Sequence, residues 1–465
     1  MSRLDTIALP EFGRDVRRPD IPLEVYRGRR GAVLERMAAA GLDLLAVYAD
    51  REHFANLMYL TGFDPRFEEA LLLLDRSDRA RLLVGNECMG YLPDPDLGIP
   101  AELFQDFSLP GQPRGSSRPL RKVLEDFGVG PGCRIGCTGW KTFEHALVEG
   151  GRHAMEVPAY LVDLLRDMTG ARERVENAGG IFMDPQDGLR RRNEPPQIAL
   201  YEYAAARTSE SVLALLRGLR EHVEERELER FLDAEGLPLT CHRMISFGDK
   251  VRRGLSSATN RAARLGDPYT VAFGVLGALT CRAGCVARGP QDLPASGREF
   301  YDALARNYFD VLAAWYGSIR VGATGGEVFA AVEALRDPRL FDFAVNPGHY
   351  LHLEEWLHSP FSPGSRVELR SGMMLQADII PVSRGPFYYV NAEDGVVLAD
   401  VALRDAMAQR HPHCWRRIEQ RRAFMRDGLG IALDASVLPL SNIPAWLPPY
   451  ALDLQRVLVL AGCRR

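Results

Sequence analysis

Four places in the sequence hold polar side chains where the surrounding pattern calls for burial. Pro347-Gly348-His349-Tyr350 presents an imidazole after a glycine, ahead of an apolar and acidic run. Asp378 interrupts the otherwise apolar stretch between Gly372 and Pro381. Ala392-Glu393-Asp394 stands just before Val396-Val397-Leu398. Cys281-Arg282-Ala283-Gly284-Cys285 lies in a glycine-punctuated apolar segment that begins at Val271. A buried carboxylate costs several kcal/mol unless it is paired, hydrogen-bonded or bound to metal. Two carboxylates close together push their pKa values apart, which leaves one of them able to donate a proton to a neighbouring reaction. A thiol stabilised near an imidazole or a guanidinium can position water or act as a nucleophile. Taken singly, each residue also suits a plain structural role: His349 a satisfied core histidine, Asp378 an ion-pair partner, Cys285 a small buried hydrophobe. Their joint order is what singles them out.

The elements that must position these residues follow from periodicity and punctuation. Residues 30–40 read as an amphipathic helix closed by Gly41. Residues 42–48 read as a buried strand, and 70–74 with 80–84 as a hairpin. Gly130-Pro131-Gly132 is a turn before a strand at 134–137. This α/β part ends near residue 175, and the Arg-rich stretch 184–196 reads as a solvated linker. The second part opens on a helix started by Pro195-Pro196, with Ile198, Tyr201, Ala205, Thr208, Val212 and Leu216 as its inward stripe. A helix over 301–316 follows, and Thr324 with Glu327 has capping-box spacing. Short strands are expected at 373–380, 387–390 and 395–398. Cys281 and Cys285 are four apart on an expected strand, roughly 13 Å between Cα atoms, too far for a disulfide. The Pro- and Leu-rich tail, 433–450, is expected to pack along the domain or a partner subunit.

Composition bounds the rest. The chain has 465 residues, about three times a common domain size, so two or more domains are expected. Its net charge of −5 argues against non-specific nucleic-acid or anionic-membrane binding. Lysine occurs only at Lys122, Lys141 and Lys250, which leaves Schiff-base and P-loop chemistry almost without candidates. No run of 18 apolar residues and no signal-peptide core are present, and eight cysteines are too sparse for a disulfide framework. A cytoplasmic protein with reduced thiols is expected.

The order Gly-His, then a Gly-Met strand carrying one carboxylate, then Glu-Asp before a final apolar strand resembles the pita-bread superfamily of creatinase, prolidase, aminopeptidase P and methionine aminopeptidase. Arg320-Val321-Gly322-Ala323-Thr324-Gly325-Gly326-Glu327-Val328 is similar to its helix-entry motif, and Tyr59-Leu60-Thr61-Gly62-Phe63 to its N-domain signature. Ala258-Thr259-Asn260-Arg261 with Gly266-Asp267 is similar to the creatinase branch. The resemblance implies an α+β chain: an N-terminal α/β domain over 1–175, a linker over 176–195, and a pita-bread domain over 196–465, a curved antiparallel sheet flanked by helices.

In peptidases of that superfamily two Asp, one His and two Glu hold two divalent metals. By resemblance His349 matches the His, Asp378 the first Glu and Glu393 the second. The first Asp falls on Ala272. The second falls on Ala283 with a hairpin of the usual length, or on Cys285 with the longer creatinase hairpin, which also places Arg288 correctly and is preferred. The His-Glu pair expected after Gly-His becomes Trp356-Leu357, with His358 displaced. Creatinase, by resemblance, works without metal; its acid/base His falls on Leu255 and its hairpin Glu on Cys285. His242, His352 or His358 could supply a replacement base.

The resulting expectation is a metal-independent hydrolase of a C–N bond in a small polar substrate. His349 is the acid/base, Asp378 and Glu393 orient it or the substrate, and Cys285 positions water or attacks. Arg282, His352 and His358 are expected substrate contacts. Phe63 and Arg66 join them from the segment running from Tyr59 to Phe67, placed by resemblance near the partner's pocket of a homodimer. No resident cofactor is expected, although one zinc or iron ion could be held by His349, Asp378, Glu393 and Cys285. The other readings are a non-catalytic protein that binds a small molecule or short peptide, and a one-metal Xaa-Pro type peptidase. Neither a nucleic acid nor a membrane is an expected partner.

Overall fold

The computed structural model describes residues 2–143, 147–254 and 256–461. Leu255, the position matched to the creatinase His, lies outside the described residues. The chain divides into two compact units, one of residues 21–190 and one of residues 1–20 with 191–465. The first twenty residues therefore depart from the N-terminal assignment made on sequence. The cause is a strand, Ser2–Thr6, that pairs antiparallel with the late strand Arg456–Leu460, a register no local pattern announces. None of the described helices is long and apolar enough to cross a membrane.

The smaller unit is α/β. Its six-stranded sheet runs, edge to edge, Ala101–Leu103, Ala80–Val84, Ala70–Asp75, Leu44–Ala49, Ile135–Thr138 and Val175–Asn177. The two central pairings are antiparallel and parallel respectively, so the sheet is mixed. Helix Leu23–Ala40 ends at Gly41 in the left-handed region, as its glycine predicts. The triple arginine read as solvated linker is partly interior: Arg190 and Arg191 are buried, and Arg190 donates to Asn56 Oδ1 at 2.9 Å.

The larger unit is α+β. Helix Pro195–Gly218 buries Ile198, Tyr201, Ala205, Thr208, Val212 and Leu216, the stripe its spacing defines. Helix Arg298–Ser318 follows, and helix Gly325–Leu335 starts on a complete Thr324–Glu327 capping box. Two four-stranded antiparallel sheets carry the pocket. The first orders Asn391–Glu393, Ala278–Cys285, Pro268–Val275 and Met244–Phe247; the second orders His349–Tyr350, Met374–Gln376, Gly395–Leu398 and Val437–Pro439. The expected strand at 387–390 is irregular chain; pairing begins at Asn391, where Ala283, Arg282 and Cys281 offer partners. Asp394 is the single residue between strand Asn391–Glu393 of the first sheet and Gly395–Leu398 of the second. The tail packs within the unit, adding strand Val437–Pro439 to Gly395–Leu398.

The hairpin between Pro268–Val275 and Ala278–Cys285 turns in two residues, Leu276 and Gly277, because Val275 and Ala278 are already paired. Gly277 has φ +91°, and a Cβ there would lie 2.7 Å from Tyr201 Cδ1. Both backbone and space demand glycine. Gly277→Ala is expected to destabilise the protein by about 1–3 kcal/mol, measured as a lowered urea midpoint with unchanged slope.

Candidate active site

The site is built from the inner faces of the two sheets. Gly348 brings His349 in: at φ +102° its Cα passes so close to Gln376 O that a Cβ would sit 2.8 Å away, and the preceding Pro347 carbonyl accepts from Trp315 Nε1 at 2.8 Å. His349 pairs with Gln376 across the second sheet. Asp378 follows two residues after Gln376, where strand Met374–Gln376 has ended. Glu393 arrives from the first sheet, directly opposite Cys281.

His349, Asp378 and Glu393 are all buried, and a donor atom from each lies within 4.8 Å of the others. His349 Nδ1 lies 3.1 Å from the Tyr350 carbonyl, which can only accept, so in the neutral ring Nδ1 carries the proton. The Nε2 lone pair then faces Asp378 Oδ2 at 3.8 Å and Glu393 Oε1 at 3.9 Å. Trp356 stacks on the imidazole, 4.1 Å between centroids at 21°. Gln376 donates from Nε2 to Glu393 Oε1 at 3.1 Å and to the Leu279 carbonyl at 2.7 Å, which fixes the glutamate.

Electrostatics follow from burial without a cation. Burial lowers the His349 pKa despite the neighbouring Asp378. It raises Asp378 well above the carboxylate range, with Glu393 adding to the effect, and pushes Glu393 up to about 8. Asp378 Oδ1 is buried without a hydrogen-bond partner. Burial thus favours a neutral imidazole and, with Glu393 pushed up to about 8, a carboxyl group that keeps its proton near neutral pH.

Two residues given no role in the site from the sequence join the cluster. Glu355 lines the same cavity beside the Cys241 thiol, and burial raises its pKa. It sits in irregular chain after strand His349–Tyr350, where no periodicity marks an inward side chain. Cys281 lines the cavity, not Cys285. The two-residue turn pairs Ala272 with Cys281, so the inward thiol lies four residues earlier than the long-hairpin alignment places it. Cys285 is fully buried in the core, its backbone N–H donating to Pro449 O at 3.0 Å, and burial raises its pKa. The length of the Leu276-Gly277 turn is the signal that would have found this.

The other expected contacts fall elsewhere. Arg282, one residue from Cys281, points to the opposite face and is fully buried, with Nη2 2.7 Å from Asp394 Oδ2. Its guanidinium also donates to the Trp446 carbonyl at 2.9 Å and to the Cys281 carbonyl at 2.6 Å. It is a clamp on the corner between the sheets and not a substrate contact. His352 is buried edge-on to Tyr201 at 5.8 Å, outside the cavity lining. His358 is exposed, with Nδ1 3.1 Å from the Ser359 carbonyl. Phe63 and Arg66 belong to the smaller unit; Phe63 is buried there against Tyr91 at 5.6 Å, and Arg66 is exposed at φ +62°.

The donor set decides which metal centre would fit. The hairpin contributes Ala272 and Cys281 and no carboxylate, so two divalent ions lack the anionic ligands they require. His349 Nε2, Asp378 and Glu393 fit a single ion, as three protein ligands with an open position do.

Two outcomes are expected. Arg282→Met, which leaves Asp394 buried without its cation, should cost about 3–5 kcal/mol in chemical denaturation. Glu393 releases its proton near 4.5 when unfolded but near 8 when folded, so unfolding between those values releases a proton. Stability from this group is full below about pH 4.5 and is lost as pH rises through about 8. The melting temperature of the wild type should fall across that window more steeply than that of Glu393→Gln.

No protein-family model matches the sequence, and no curated protein does. Solved structures do. A prolidase from Pyrococcus horikoshii OT3 is 16% identical with a TM-score of 0.60, over 80% of this chain and 95% of that one. Dipeptidase PepE from Mycobacterium ulcerans is 19% identical with a TM-score of 0.60, over 83% and 95%. An X-Pro aminopeptidase from Thermotoga maritima MSB8 is 13% identical with a TM-score of 0.59, over 80% and 95%. These likenesses show that the chain has the fold of those prolidase, dipeptidase and X-Pro aminopeptidase structures.

Proposed function

We propose that the protein is a hydrolase that cleaves a C–N bond of a small-molecule substrate at His349, Asp378 and Glu393, without a dinuclear metal centre. One observation carries this: a tautomer-fixed imidazole lone pair facing two buried carboxyl groups, of which Glu393 is pushed up to about 8. Such a set holds a base and an acid together at neutral pH. His349 Nε2 takes a proton from water as its oxygen bonds to the substrate carbon. The Glu393 carboxyl gives its proton to the leaving nitrogen as the C–N bond breaks. The proton on His349 then returns to Glu393, so the site is restored with one water consumed. Gln376 keeps Glu393 aimed, and Trp356 holds the ring plane.

The donor set favours a second reading, with one ion bound by His349, Asp378 and Glu393. Such an ion would supply a Lewis acid and a more acidic bound water. The peptidases named in the structural likenesses support testing Xaa-Pro dipeptides among the substrates. A homodimer belongs to the same proposal, with the exposed Arg66 reaching a partner's pocket.

Metal analysis alongside turnover of amides, amidines and Xaa-Pro dipeptides separates the readings. Metal-free protein is expected to retain turnover, and His349→Ala to lose about 10²–10⁴-fold in kcat. Activity lost on chelation and restored by one equivalent of metal would establish the one-ion reading instead. Two ions per chain would contradict both.

A further inference from the structure

The cavity above the cluster, about 680 Å³, is large for a small polar molecule and falls in the range that encloses drug-sized ligands. Its acidic groups are gathered at one end. Asp378, Glu393 and Glu355 lie with His349 there, and among the described residues no lysine or arginine pairs with their carboxyl oxygens; Arg282 reaches Glu393 only at its backbone carbonyl, 3.3 Å away. Much of the remaining lining is apolar, with Leu279, Val345, Ile380, Val382 and Phe387, interrupted by Ser256 and Ser383. The apolar surface does not stop inside. Val345, Trp356 and Val382, all lining residues, are 39%, 42% and 49% exposed. Large apolar side chains left open together mark a binding surface. Arg252, the single arginine of the lining, has its guanidinium 3.9 Å over the Phe387 ring.

We infer that the site takes an amphipathic ligand: a nitrogen-centred head, amine, amidine or amide, on the carboxyl floor, and an alkyl or aromatic arm along the wall to the mouth. This rests on reading the cavity as the substrate site. The head matches this floor, because a nitrogen donor gives a partner to buried carboxyl oxygens that have none, Asp378 Oδ1 and Glu355 Oε2, beside acceptor atoms within 4.8 Å of one another. The arm matches the apolar wall, because burying it removes both its own surface and the open faces of Val345 and Val382 from water. A short polar substrate would leave most of that wall wet.

The test is a series of n-alkylammonium ions from methyl to nonyl, with affinity measured by calorimetry, a readout that does not require turnover. Kd is expected to tighten about fourfold per methylene along the buried part of the arm and to level off once the chain reaches the mouth. Val382→Asp and Val345→Asp, at exposed positions, should fold, keep the methylammonium affinity and flatten the series. A flat series in the wild type would overturn the inference, as would a series unchanged by both variants. Chain-length dependence in this series together with no turnover of the matching N-alkyl amides and amidines would keep the ligand class and refute the hydrolase reading, so the two fail separately.

Discussion

The site depends on how one strand pair shares its charges between two faces. Side chains alternate along a strand, so neighbouring residues cannot serve the same side. In strand Ala278–Cys285, Cys281 faces the cavity opposite Glu393 and Arg282 faces the core, where it holds Asp394. The guanidinium of this strand is therefore held behind the sheet. Glu393, next to Asp394 in sequence, stands in front with a thiol for its cross-strand neighbour. The same clamp fixes Asp394, the residue at which the chain passes from one sheet to the other, and ties it to the tail at Trp446. Fold and site electrostatics thus share a cause: the interaction that holds the corner is the one that keeps the Arg282 guanidinium away from the carboxyl end of the cavity.

Once no cation is supplied, the chemistry is constrained. Two buried carboxyl groups and an imidazole within 4.8 Å cannot all be charged or all be neutral acceptors without penalty. Protons, one metal ion or a cationic ligand can relieve it, and each makes the cluster useful in a different way. The proton solution is the one the proposed acid/base hydrolysis uses, and the ligand solution is the one the proposed amphipathic ligand uses. Both draw on the absence of carboxylates at Ala272 and Cys281, where the hairpin would have to supply a second ion's ligands.

Much of this was legible in the sequence. The helix stripe from Ile198 to Leu216, the Thr324–Glu327 box and the glycine before His349 each follow from local rules, and the structure has them. His349, Asp378 and Glu393 were visible because polar residues in apolar strands stand out. What stayed hidden depended on distance and register. Cys281 and Cys285 have the same strand parity, so only the length of the turn at Leu276-Gly277 chooses between them. Arg282 beside two cysteines suggested a ligand contact, and its true partner lies 112 residues away. Glu355 and His352 occupy irregular chain, where burial obeys no period, and the first twenty residues join the larger unit through a strand pair spanning almost the whole chain.

The central claim is that the cluster carries protons and not a compensating cation near neutral pH. Infrared difference spectroscopy of the wild type against Glu393→Gln and Asp378→Asn reads this directly, through the carbonyl stretch of a protonated carboxyl group. At pH 7 a protonated-carboxyl band that Glu393→Gln diminishes is expected, and it should be lost as pH rises through about 8. Carboxylate bands alone at pH 7, with no protonated component from either residue, would contradict it.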